Sequence, residues 1–135
     1  MWRRVQGVTL IELILTMAIV GILASVAYPA MSHYVRACRR SEARNALMYI
    51  AGLQERFFLQ TQHYASLSDL GLDITADNDY LTENGYYRIT ATVSTASFSL
   101  VATAINSQSA DSECQILRLA QDGFRNGSDH DPCWQ

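Results

Sequence analysis

The run from Leu13 to Val35 limits this chain more than any other stretch: 23 residues without an Arg, Asp or Glu, in a chain that has no lysine. As a helix it measures about 35 Å, enough to cross the hydrocarbon core of a bilayer. Yet Glu12 stands at its front edge. Ionised groups are costly in hydrocarbon, so a carboxylate at such a place is expected to be partnered and functional. Gly21 and Pro29 lie inside the run. Pro29 lacks an amide hydrogen and clashes with the preceding turn, which predicts a kink or a local opening of the helix.

The residues before the run, "MWRRVQG", are short and basic and end in glycine. A secretory signal places its apolar region ahead of the cleavage site, whereas here the apolar region follows Gly7. A cut after Gly7 leaves the membrane segment on the mature protein. Charge alone does not orient the segment, since Arg3 and Arg4 flank one side and Arg36, Arg39, Arg40 and Arg44 the other.

Beyond Pro29 the helical period continues. Ala43, Ala46, Leu47, Ile50, Leu53 and Phe57 form an apolar stripe, which predicts one long helix from about Thr9 to Leu59, amphipathic in its second half. Ser66 or Ser68 is the expected cap of a short turn after it. From Tyr86 the period changes to two. "YYRITATV", "SFSLVATA" and "CQILRLA" read as strands, the first two joined through "STA", and a turn at Asp122-Gly123 leads to a brief return through Phe124. The architecture is therefore α+β: a spine helix whose distal half carries a small antiparallel β-sheet.

Roughly 100 residues are left for a soluble head, enough for one modest core. After Asn45 four arginines face eleven acidic residues, a balance of −7 that makes nucleic acid an unexpected partner. Cys114 and Cys133, 19 positions apart, are the natural disulfide pair if the head lies outside the cytoplasm, and Cys38 is expected as a packed small side chain.

The opening residues "GVTLIEL", with Gly7, Glu12, Gly21, Pro29 and the long helix in register, resemble the type IV filament proteins. The likeness extends through "SEARNALMYIAGLQERFFLQTQHYASLSDLGL", "GYYRITAT" and the terminal cysteine segment to the PilE-type minor pilins. It implies a leader over 1–7, a transmembrane and filament-core half of the helix over 8–35, and a periplasmic or extracellular head over 36–135. It implies cleavage after Gly7 by a prepilin peptidase and N-methylation of Val8, where most relatives carry phenylalanine. The precursor is then a single-pass inner-membrane protein with a cytoplasmic N terminus, and after assembly the chain is part of an extracellular pilus. Its implied partners are other major and minor pilins, the prepilin peptidase and the inner-membrane assembly platform. Glu12 would neutralise the terminal amine of a neighbouring subunit, fixing axial register. Gly21 and Pro29 would bracket a stretch able to lose helicity in the filament. Tyr28, Tyr34, Arg36, Arg39 and Arg40 suit the membrane boundary or contacts between subunits.

The expected function is that of a minor pilin serving adhesion and twitching motility. Two alternatives remain open: a competence pilin that captures DNA through a basic stripe, and a pseudopilin of type II secretion. The acidic run Asp73, Asp77, Asp79 and Glu83 does not match the twelve-residue calcium loop. His33, His63 and His130 fall on different elements and suggest neither a triad nor a zinc site. No enzyme, metal or cofactor is expected.

Overall fold

The computed structural model describes residues 7–125 and 132–135. The first six leader residues, and segment 126–131 with His130, lie outside the described residues. One helix, α1, runs from Leu10 to Thr61 and is followed by four strands: β1 Tyr80–Leu81, β2 Tyr87–Val93, β3 Phe98–Ala104 and β4 Ile116–Ala120. A short 3-10 turn, Asn106–Ala110, joins β3 to β4. The chain divides into two compact units between Val35 and Arg36.

In the first unit no described residue is buried. The helix continues unbroken through Pro29, so the local opening expected there is not present. Thr16, Ser25 and Ser32 turn their hydroxyls back onto the carbonyls of Leu13, Ile22 and Pro29, at 2.9, 2.7 and 2.9 Å. These polar groups are thus satisfied within the helix itself, as an apolar surrounding requires.

The second unit is a sheet laid on the distal part of α1. Ala43, Leu47, Ile50 and Gln54 are the buried helix positions, spaced four, three and four apart on one face. They meet Tyr87 and Ile89 of β2, Phe98, Leu100 and Ala102 of β3, and Leu117 and Leu119 of β4 in a single core. Strands β2, β3 and β4 bury alternate residues, as the pleat dictates. The sheet order is β1-β2-β3-β4, antiparallel throughout, with Ile89 opposite Ala102 and Ala102 opposite Leu117.

The connections show why the strands lie in this register. The β2–β3 hairpin closes over Ser94–Ser97, one residue longer than expected, with Ser94 N–H donating to the Ser97 carbonyl at 2.8 Å and Ser97 N–H donating to Ser94 Oγ at 3.1 Å. After β4, Gly123 adopts a φ of +81°, which glycine enters without steric cost, and Ala120 N–H donates to the Phe124 carbonyl at 2.9 Å. The brief return is therefore real, recorded as a bridge between Leu119 and Arg125. Strand β1, two residues long, has no counterpart in the sequence-based expectation. Ser66 does cap its turn, accepting from Asp69 N–H at 3.3 Å.

Two features hold the segment after α1 in place. The buried Gln54 side chain donates to the Ala65 carbonyl at 2.6 Å and accepts from the Ala65 N–H at 2.9 Å. Glu42 accepts from both the backbone N–H and the side-chain amide of Asn84, each at 3.0 Å.

Candidate functional site

The N-terminal segment brings the expected processing and assembly residues into one short sequence. Gly7, Val8 and Thr9 carry no regular structure, and the helix starts at Leu10. The Thr9 carbonyl accepts from Leu13 N–H at 3.2 Å, and Thr9 Oγ1 lies 3.4 Å from the N–H of Glu12. Glu12 sits in the first helical turn, where a carboxylate is favoured by the exposed N–H groups and positive end of the helix dipole. Gly21 and Pro29 lie further along the same helix, and a Cβ at Gly21 would meet nothing within 4 Å. The structure places Gly7, Val8, Thr9 and Glu12 within half a dozen consecutive residues, while Gly21 and Pro29 stand apart from them along α1.

The segment that carries this carboxylate exposes apolar side chains along its length. Val8, Leu10 and Ile11 are 72, 77 and 71% exposed, and Ile22, Val26 and Met31 remain as open. A contiguous apolar surface of this extent belongs against lipid or against other apolar helices, not water. Over this helix the composition is apolar enough to cross a membrane.

The head holds a second ionic feature that sequence reasoning missed. Arg40 donates to both carboxylate oxygens of Asp111 at 2.7 Å and to Glu113 Oε2 at 3.1 Å. Asp111 is buried, and Arg40 nearly so. Charge-assisted, two-pronged pairing of this kind is strong and directional. The Arg40 hydrogen bonds hold the Asp111 carboxyl below its ordinary range, overcoming the opposing effect of burial. Gln108, fully buried, donates from Nε2 to Asp111 Oδ2 at 3.0 Å and to the Tyr87 hydroxyl at 3.1 Å. Burial pushes the Tyr87 hydroxyl up. This cluster ties the turn between β3 and β4 to the helix.

Two of the arginines expected at the membrane boundary also have partners within the head. Arg40 is committed to the interior of the head, and Arg39 stacks on Tyr86, 4.0 Å from ring centre, while donating to Ser107 Oγ at 3.1 Å. The expectation for Cys38 is corrected: it is free and exposed, because its position on α1 lies off the buried stripe.

The C terminus is anchored to the same helix. Cys114 and Cys133 form the disulfide. Trp134 packs against the core, with Arg125 4.9 Å over its ring, and Arg44 donates to the Gln135 carbonyl. On the outer face of the sheet, β2 and β4 present Arg88 and Arg118, and the outward positions of β2, β3 and β4 carry no carboxylate. Arg88 lies 3.5 Å from Asp79, on the segment leading into β1.

Comparison with known proteins accounts for nearly the whole chain. Residues 2–28 match the prokaryotic N-terminal methylation motif. Residues 29–118 match the family described as the type IV minor pilin ComP, DNA uptake sequence receptor. The fimbrial protein EcpC of Eikenella corrodens is 38% identical over 105 residues, covering 77% of this chain and 65% of that protein. The type IV major pilin protein PilA of Myxococcus xanthus is 35% identical over 66 residues, 49% of this chain and 30% of that one. The chain thus spans just under two thirds of the first relative and under one third of the second. A solved type IV pilin from Shewanella oneidensis superposes with a TM-score of 0.56 at 25% identity, over 74% of this chain and 98% of that one.

A spine helix under a four-stranded antiparallel sheet, with the methylation motif running into the start of that helix, defines a type IV pilin. The chain belongs to that family, within the group represented by the ComP model.

Proposed function

We propose that this chain is a minor type IV pilin, a structural subunit that enters the type IV pilus or primes its assembly and so serves adhesion and twitching motility. The observation that carries this is the N-terminal unit: an apolar helix with no buried residue, opened by Glu12 five positions after Gly7. A prepilin peptidase cuts after Gly7, and Val8 becomes the methylated N terminus. The precursor waits in the inner membrane as a single pass, N terminus in the cytoplasm and head in the periplasm, until the assembly platform extracts it. In the filament other pilins cover the apolar helix. Glu12 neutralises the terminal amine of a neighbour, since neither charge is tolerable alone in a low-dielectric bundle. Gly21 and Pro29 give the core half its room to adjust. Replacing Glu12 with alanine leaves cleavage intact and removes the subunit from sheared pili, read by immunoblot of pilus and membrane fractions. Normal incorporation of that variant contradicts the assembly role.

A second reading, capture of DNA during uptake, is favoured by the description of the matched family and by Arg88 and Arg118 on outward strand positions, of which Arg88 already pairs with Asp79 at 3.5 Å. Against it stand the acidic head and the absence of lysine, because binding to a polyanion draws its energy chiefly from neutralised phosphates. A gel shift with the head at physiological salt separates the two, tight binding favouring uptake. Stabilisation of the head by calcium would instead favour the secretion pseudopilins.

A further inference from the structure

We propose that Thr9 fixes where the spine helix begins and thereby keeps the Gly7–Val8 peptide bond open to the peptidase; this rests on the reading that cleavage follows Gly7. The first rung of the helix is the bond from Leu13 N–H to the Thr9 carbonyl, at 3.2 Å. Thr9 Oγ1 turns toward the N–H of Glu12, at 3.4 Å. A residue that accepts the first helical bond on its carbonyl and faces the third helical N–H with its side-chain oxygen is an N-cap. Thr9 and Glu12 also have the spacing of a capping box, and Val8 and Leu13 occupy the two flanking apolar positions that steer the chain into a helix.

The consequence concerns one carbonyl. Hydrolysis adds water across the Gly7–Val8 amide, the hydroxyl going to the Gly7 carbonyl carbon and a proton to the Val8 nitrogen. With the cap at Thr9, the Gly7 carbonyl lies two residues ahead of the first carbonyl in the helical ladder. If the helix began two residues earlier, Gly7 would be its cap and the same carbonyl would accept from Ile11 N–H. The peptidase would then have to unwind a turn before attacking it. Glycine is itself an acceptable cap, so the two starting points are close in free energy and a single side-chain oxygen can choose between them. Proteolysis concentrates where backbone is exposed and non-helical. Thr9 is therefore a positioning residue for processing, acting through its side-chain oxygen on the backbone N–H of Glu12.

The test uses the full-length precursor in detergent micelles with a prepilin peptidase. Wild type, Thr9→Val, Thr9→Ser and Thr9→Asn are compared for cleavage rate and for hydrogen exchange at the Ile11 amide. Valine keeps the shape and removes the cap, so its cleavage slows on the order of fivefold while the Ile11 amide becomes more protected. Serine and asparagine both restore a capping oxygen and cut at close to the wild-type rate. A valine variant cleaved as fast as wild type overturns the proposal. So does asparagine as slow as valine with unchanged Ile11 protection, which marks direct recognition of the threonine side chain. Failure of wild type to be cut after Gly7 is a separate result and overturns the processing assignment itself.

Discussion

Asp111 shows how one residue can hold an element in place. Its carboxylate is buried, receives two bonds from Arg40 and one from Gln108, and anchors the turn that carries the chain from β3 to β4. Removing one partner of such a pair leaves an uncompensated charge, which commonly costs about 3–5 kcal/mol. Arg40 retains Glu113 at 3.1 Å, so Asp111→Asn should cost less, about 2 kcal/mol in urea unfolding of the head. The sign with pH follows from the lowered carboxyl. The unfolded carboxyl titrates at about 3.9, so the stabilisation is fully present above that value and disappears as pH falls through the lower folded value. Wild type and Asp111→Asn therefore converge in stability as the solution is acidified below that range, and a constant gap down to the acid-unfolded state would contradict the assignment.

The elements themselves were largely legible in the sequence, and the reason is periodicity. The apolar stripe of α1 and the alternation of β2, β3 and β4 are local signals, and the structure reproduces them with boundaries shifted by a residue or two. Gln54 was also within reach: it falls on the same four-three-four spacing as Ala43, Leu47 and Ile50, yet its polarity hid it. Its partner, Ala65, lies 11 residues on in an irregular segment, and no pattern announces such a clasp. Gln54→Leu keeps the volume but strands a buried N–H and a buried carbonyl, so the head should lose about 2 kcal/mol in the same unfolding measurement. A change below a few tenths would show that the clasp is dispensable. What was not legible had long reach. Arg40 and Asp111 are 71 positions apart, and β1 is too short to leave a periodic trace. Of the N-terminal site, the register of Gly7, Glu12 and Pro29 was plain. The cap at Thr9 could have been found from the Thr-x-x-Glu spacing.

At the scale of the whole molecule two chemistries share one helix. Ahead of Arg36, α1 exposes apolar side chains along its length and buries nothing in its own chain; beyond it, the same helix covers a core and carries a net-acidic head. A chain built this way is incomplete alone. Its apolar helix calls for lipid or other apolar helices around it, and the proposed pairing of Glu12 with a neighbour's terminal amine belongs to the second of these. The head is latched to the distal part of the helix by Arg40 and by Arg44 at the C terminus, and the Cys114–Cys133 disulfide ties that C-terminal segment to the β3–β4 connection. The central claim, that the membrane helix is a stored filament core released by processing, is tested most directly by intact-mass measurement of the protein extracted from membranes. The expected chain begins at Val8, heavier by one CH2 (a methyl group in place of a hydrogen) and lighter by two hydrogens for the disulfide. A mature chain that still carries residues 1–7, or that has lost the apolar helix, would contradict it.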